Sequence, residues 1–180
     1  MKTILIALSL ASSSMAVPPE LLEVPAFELK TSDAKNFGKK DLQGKVWVAS
    51  FIFTSCGGQC PMLNAKTKEL AKEFTQPDLR FVSVTVDPKT DTPKVLSTYK
   101  KKLAADDRWV FLTGPSKKIQ ALVNDGLKLA GGNSDSIAHS QRFVLIDSKG
   151  QVRGYYNALD EEKLAELKAD LKTVLAEPKA

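Results

Sequence analysis

Long apolar runs are missing from this 180-residue chain: the N-terminal one covers about half of the roughly 20 apolar residues that a membrane-spanning helix takes, and no other segment is apolar for long enough. Internal repeats are absent as well, which removes solenoids and propellers. No stretch is dominated by Gln and Asn, by Ser or by charge, and ten glycines and nine prolines are ordinary for a globular protein. A concentrated basic stripe is also lacking. The net charge of +5 comes from 26 basic residues interleaved with 21 acidic ones, which argues against nucleic-acid binding and leaves a solvated, mildly cationic surface. Histidine occurs once, as His139, and cysteine twice, as Cys56 and Cys60. One bridge closing so small a loop adds little stability, because loop-closure entropy grows with loop length. A purely structural reason for the pair is therefore weak.

What is present begins with an apolar content of 43%, enough for one core and too little for two large domains. The first residues, MKTILIALSLASSSMAVPPE, place one Lys before an apolar run from Thr3 to Ala11, then small residues ending at Ala16. That is the plan of a secretory signal peptide, with cleavage expected after Ala16. Residues 1–16 are thus read as a leader and 17–180 as a single domain, exported and, in a Gram-negative cell, periplasmic. Membrane association is expected only through partners.

Along the domain, Phe27 to Leu29 is expected to be a short edge strand. Val46 to Thr54, nearly all apolar or β-branched, reads as a central strand covered on both faces. After SCGGQCP, a helix is expected from Pro61 to about Phe74, with Pro61 at its first position. A second buried strand, Leu79 to Asp87, precedes a helix over Thr92 to Leu103; a third strand, Trp109 to Thr113, precedes a helix over Ser116 to Leu129 that stops at Gly131-Gly132. Arg142 to Asp147 and Gln151 to Asn157 flank Ser148-Lys149-Gly150 and predict a β-hairpin, followed by a helix over Glu161 to Leu175. This order predicts an α/β domain with a mixed central sheet flanked by helices. Strand, cysteine loop, helix and strand, then a hairpin and a last helix, is the thioredoxin-like order, enlarged by an inserted strand-helix unit.

The chemistry concentrates at the cysteines. Cys56 follows a buried strand and Cys60 precedes Pro61, so both are expected at a helix N-terminus, where unpaired N–H groups and the helix dipole favour thiolate. A disulfide, a redox couple and a metal site are all compatible with such a pair. Two thiolates separated by three residues, two of them Gly, can converge on one soft cation, Cu(I) above all, with Zn as competitor. In a thioredoxin-like topology the loop entering the hairpin lies against the cysteine loop, which places His139 to supply a third ligand. The redox alternative is a thiol-disulfide oxidoreductase in which Cys56 attacks and Cys60 resolves. Thioredoxin-like oxidoreductases typically carry two residues between the cysteines and a proline before the hairpin; this chain has three, and no proline between Pro115 and Pro178.

FTSCGGQCP at 53–61, VSVTVDPKTDTP at 82–93, WVFLTG at 109–114 and AHSQRFVLIDSKGQVRGYY at 138–156 together resemble the Sco/SenC family, in the same order and over most of residues 22–175. The resemblance implies a copper metallochaperone for cytochrome c oxidase assembly that binds one copper ion, Cu(I) or Cu(II), through Cys56, Cys60 and His139. Its implied partners are a copper-receiving respiratory oxidase subunit or another copper-site protein, and a thioredoxin-like reductant. Asp87 and Asp91 match the family's Asp-Pro-x-x-Asp-Thr segment without being implied as ligands, and a strand-to-helix turn with a capping Asp would read the same way. Ser55 and Gly57-Gly58-Gln59 depart from the family, which commonly has a bulky residue before the first cysteine and a polar one between the two. A redox or copper sensor is the third reading of the same pair.

Overall fold

A computed structural model describes residues 22–129 and 141–178. The expected leader and His139 lie outside them.

Within the described residues eight strands form one mixed sheet: β1 (Leu22–Glu23), β2 (Glu28–Thr31), β3 (Asn36–Gly38), β4 (Val46–Ile52), β5 (Leu79–Thr85), β6 (Trp109–Thr113), β7 (Arg142–Ile146) and β8 (Gln151–Asn157). Their spatial order is β1-β8-β7-β4-β5-β6-β2-β3. The centre is parallel, β4 on β5 and β5 on β6, and β7 joins β4 antiparallel. Among the described residues four α-helices cover the sheet: α1 (Gln59–Glu73), α2 (Pro93–Leu103), α3 (Ser116–Ala121) and α4 (Glu161–Ala176).

β4 shows why the sheet is covered twice. All seven of its residues are buried. With a period of two, Val46, Val48 and Ile52 join a core with Leu63 and Leu70 of α1, Leu96 of α2 and Leu167 of α4. Trp47, Ala49 and Phe51 join the opposite core, with Ile119 of α3, Leu122 and Val123. Ser50 breaks the apolar pattern but is satisfied: its Oγ meets Ser83 Oγ at 2.8 Å, and Trp109 Nε1 donates to the same Ser83 oxygen at 2.9 Å.

The expected central strands, hairpin and last helix are all found, with ends moved by one or two residues. The hairpin turn is closed at Gly150, whose φ of +82° suits glycine, while Asp147 Oδ1 accepts from the Lys149 and Gln151 N–H groups at 2.9 Å each. Three differences have physical causes. Helix α1 starts at Gln59, two residues early, so Cys60 lies inside its first turn and Pro61 occupies the third helical position; a proline there costs no intrahelical bond because the first-turn N–H groups have no partner. The helix expected over 116–129 stops after Ala121 and widens into a π-turn, Leu122–Gly126, with the Leu127 N–H reaching Leu122 O at 2.8 Å. Gly126 ends the turn in close packing, where a Cβ would meet Leu122 Cδ1 at 3.2 Å and Pro25 Cδ at 3.3 Å. The strand expected over 27–29 is β2, but it is not the edge: β3, too short to leave a pattern, pairs outside it.

The N-cap of α2 is Thr92, whose Oγ1 accepts from the Val95 N–H at 3.4 Å, with Pro93 opening the helix. Thr92→Ala is expected to lower stability by about 1 kcal/mol, read as a lower denaturation midpoint with an unchanged slope.

Candidate functional site

The carboxyl ends of β4 and β5 lie side by side, with Ile52 opposite Thr85, and the chain leaves β4 through a turn that carries Cys56 and runs into α1, whose first turn holds Cys60. The Cys56 N–H donates to Phe53 O at 3.2 Å, so Cys56 closes a four-residue turn, and the next residues wind into α1. Both cysteines are free thiols. Cys56 is half-buried and reachable; Cys60 is buried at 4% exposure, packed in the core beneath α1.

That difference in burial separates their chemistry. Burial acts to raise the Cys56 pKa, but the N–H groups of Cys60, Gly58 and Gln59 and the Cys60 side chain outweigh it, and the net shift is downward from 9.0. Cys60 moves the other way, pushed up to about 11 by burial first, then by the hydrogen bond and charge of Cys56 and by the charge of Asp91. The expectation that both thiols favour thiolate holds for Cys56 alone. Both do stand at the helix N-terminus, but only Cys56 has the exposure to profit from it.

Two aspartates follow β5 and do different things. The Asp87 carbonyl accepts from the Thr90 and Asp91 N–H groups at 3.2 and 2.9 Å, and its Oδ1 from the Thr90 N–H at 3.4 Å, which closes the turn between strand and helix. Asp91 does not cap α2, as that role falls to Thr92. Its carboxylate turns inward, fully buried. It accepts from the Thr54 N–H at 3.1 Å, from Thr54 Oγ1 and from Thr85 Oγ1.

Sequence reasoning passed over four neighbours. Thr54 and Thr85 hold Asp91, and Asn64 and Tyr99 link α1 to α2 through an Nδ2–H donated to the Tyr99 hydroxyl at 2.7 Å. Burial raises the Tyr99 pKa, against the lowering effect of the Asn64 hydrogen bond, and the charges of Cys60 and Cys56 add to the rise. One signal was available. Asn64 lies one helical turn beyond Cys60, a buried amide on a helix face shared with Leu63, Thr67 and Leu70. Among the described residues, no third His, Cys, Asp or Glu joins the two thiols in a metal-binding cluster. The donor set among the described residues is thus two sulfurs, a set suited to a soft, low-coordinate cation.

A mixed sheet that delivers paired cysteines from its central strand to the first turn of a helix defines a thioredoxin-like protein. The sequence model of the SCO1/SenC family matches residues 17–176, and the chain belongs to that family. The SCO1 homologue of Bacillus subtilis (strain 168) is 34% identical over 167 residues, covering 84% of this chain and 82% of the relative. Among solved structures, BsSco, described as a member of the Sco family of cytochrome c oxidase assembly proteins with a disulfide switch, superimposes with a TM-score of 0.73 at 28% identity, covering 89% of this chain and 97% of that one. Yeast Sco1 with copper bound shares the fold at a TM-score of 0.64 and 22% identity, with 86% and 94% covered.

Proposed function

We propose that this chain is a periplasmic copper metallochaperone that delivers one copper ion to the copper site of cytochrome c oxidase. The observation that carries the reading is the pair of free thiols held on one turn at a helix N-terminus, one reachable and one buried, in a chain of the SCO1/SenC family. In this reading Cys56 and Cys60 are the thiolate ligands and His139 is the imidazole ligand. Transfer is a ligand exchange. A partner thiolate enters the coordination of the copper, the accessible Cys56 leaves first and the buried Cys60 last, and the copper keeps at least two donors throughout. The pair must be reduced to begin, because a disulfide cannot ligate as two thiolates; a thioredoxin-like reductant would supply that state. The leader over residues 1–16 would place the protein outside the cytoplasm, and no helix among the described residues is long and apolar enough to cross a membrane.

Anaerobic titration of the reduced protein tests this. One equivalent of copper is expected to bind, with sulfur-to-copper charge transfer for Cu(II), and Cys56→Ser/Cys60→Ser is expected to lose it. His139→Ala is expected to weaken Cu(II) more than Cu(I), which two thiolates hold alone. Failure of the native protein to bind stoichiometrically would end the chaperone reading.

The split in thiol pKa supports a second reading, a thiol-disulfide oxidoreductase. There the Cys56 thiolate attacks a partner disulfide, Cys60 gives up its proton and displaces the mixed bond, and the partner leaves as a dithiol while this chain becomes the disulfide. Metal-free turnover of a disulfide substrate, abolished by Cys56→Ser, would select it.

A further inference from the structure

A carboxylate inside an apolar core is costly unless its environment compensates the charge, so a fully buried aspartate calls for a reason. Asp91 has no capping role, because Thr92 caps α2. Among the described residues its donors are one amide and two hydroxyls rather than a cation. Those donors come from residues 37 and 6 positions away, and they mark two structural points: Thr54, in the turn that leaves β4 for Cys56, and Thr85, the last residue of β5. Thr85 is tied in turn to the strand-to-helix segment, since its Oγ1 accepts from the Asp87 N–H at 3.0 Å. The Val86 N–H donates to Ile52 O at 2.9 Å and locks the same two strand ends together. The carboxylate therefore bolts the start of the cysteine turn to the central sheet, two residues before Cys56.

We propose that Asp91 is the positioning residue of the cysteine site: through Thr54 it fixes the backbone from which Cys56 meets Cys60, and so sets how tightly the pair keeps a copper ion. This rests on the copper reading for its metal consequence, while the positioning itself concerns the metal-free protein. Metal sites generally depend in this way on groups one contact behind the ligands, whose loss costs about 10- to 100-fold in affinity. Asp91→Asn is nearly isosteric but replaces one acceptor oxygen with an amide that cannot accept. Thr54→Val keeps the side-chain volume and removes the hydroxyl donor from the other side of the contact.

The experiment compares native protein, Asp91→Asn, Thr54→Val and a control, Val174→Ala, on the buried face of α4 beyond Lys168, which pairs with Glu69 and Glu73 at the end of α1 opposite the cysteines. Two readouts are taken. The first is the rate at which Cu(I)-loaded protein surrenders metal to a competing chelator; the second, in metal-free reduced protein, is hydrogen exchange of the Thr54 and Cys56 amides. Release about tenfold faster or more is expected in Asp91→Asn, a smaller change in the same direction in Thr54→Val, and none in Val174→Ala. Exchange of the two amides is expected to accelerate in both site variants, with exchange in β5 and β6 unchanged. Release within twofold of native in Asp91→Asn would overturn the proposal, as would equal acceleration in the control, which would make Asp91 merely structural. If the native protein binds no copper, the copper reading fails and the exchange data alone decide: unchanged Thr54 and Cys56 amides in Asp91→Asn overturn the positioning role.

Discussion

Iodoacetamide at pH 7.5 is expected to modify Cys56 of the reduced protein at least about tenfold faster than Cys60. The two shifts run in opposite directions, Cys56 down from 9.0 and Cys60 up to about 11. With Cys56 lowered and Cys60 raised to about 11, Cys56 carries by far the larger thiolate fraction at neutral pH. The Cys60 thiolate is intrinsically the better nucleophile because its pKa is higher, and that returns roughly tenfold; burial at 4% exposure then acts against Cys60 again. The sign of the pH dependence follows. Alkylation of Cys56 levels off once the pH passes its depressed value, below 9, whereas alkylation of Cys60 keeps rising tenfold per pH unit up to about 11. Mass spectrometry of the two peptides across pH 6 to about 10 reads both curves. Equal rates would mean that the turn does not hold Cys56 over the amides of Gly58, Gln59 and Cys60, and both functional readings would lose their reachable first thiol.

The split between the thiols was not legible in the sequence, and the reason is geometric. SCGGQCP says that both cysteines lie near a helix start, and it does not say where the helix begins. Two residues of difference, Gln59 against Pro61, decide that Cys60 enters the core while Cys56 stays at the rim. Asp91 is a similar case. Asp-Pro-x-x-Asp-Thr-Pro reads as a turn before a capped helix, and the structure keeps the turn, with Asp87 closing it and Thr92 as the cap. The inward aim of Asp91 depends on Thr54, which is 37 residues away, and no local pattern carries that contact. What did show through was whatever a strand or helix writes in its own period. β4 and β5 read as buried because both faces are apolar, and the hairpin because Gly150 sits where a positive φ is required. β1 and β3, two and three residues long, are too short to write any period.

Trp109→Ala is expected to cost about 3–5 kcal/mol and to lower the melting temperature by roughly 6–20 °C. Trp109 is among the largest side chains in the core at 1% exposure, stacked on Phe111 with ring centroids 5.2 Å apart. Its loss would leave a cavity beside β5 and would also remove the N–H donated to Ser83 Oγ, leaving the buried Ser50–Ser83 pair to satisfy itself. Trp109→Phe separates the two contributions: it refills most of the volume, loses the hydrogen bond and should cost less than half as much. The substitution is also informative about the site, because Trp109 pairs across to Phe81 in the middle of the sheet rather than at the carboxyl ends where the cysteine turn begins. Below its melting transition Trp109→Ala should therefore retain the native Cys56 to Cys60 alkylation ratio. Calorimetry and alkylation of the same sample check both halves. A changed ratio at temperatures where the variant is fully folded would show that the cysteine turn is held by the sheet as a whole rather than by the local contacts of Asp91 with Thr54 and Thr85.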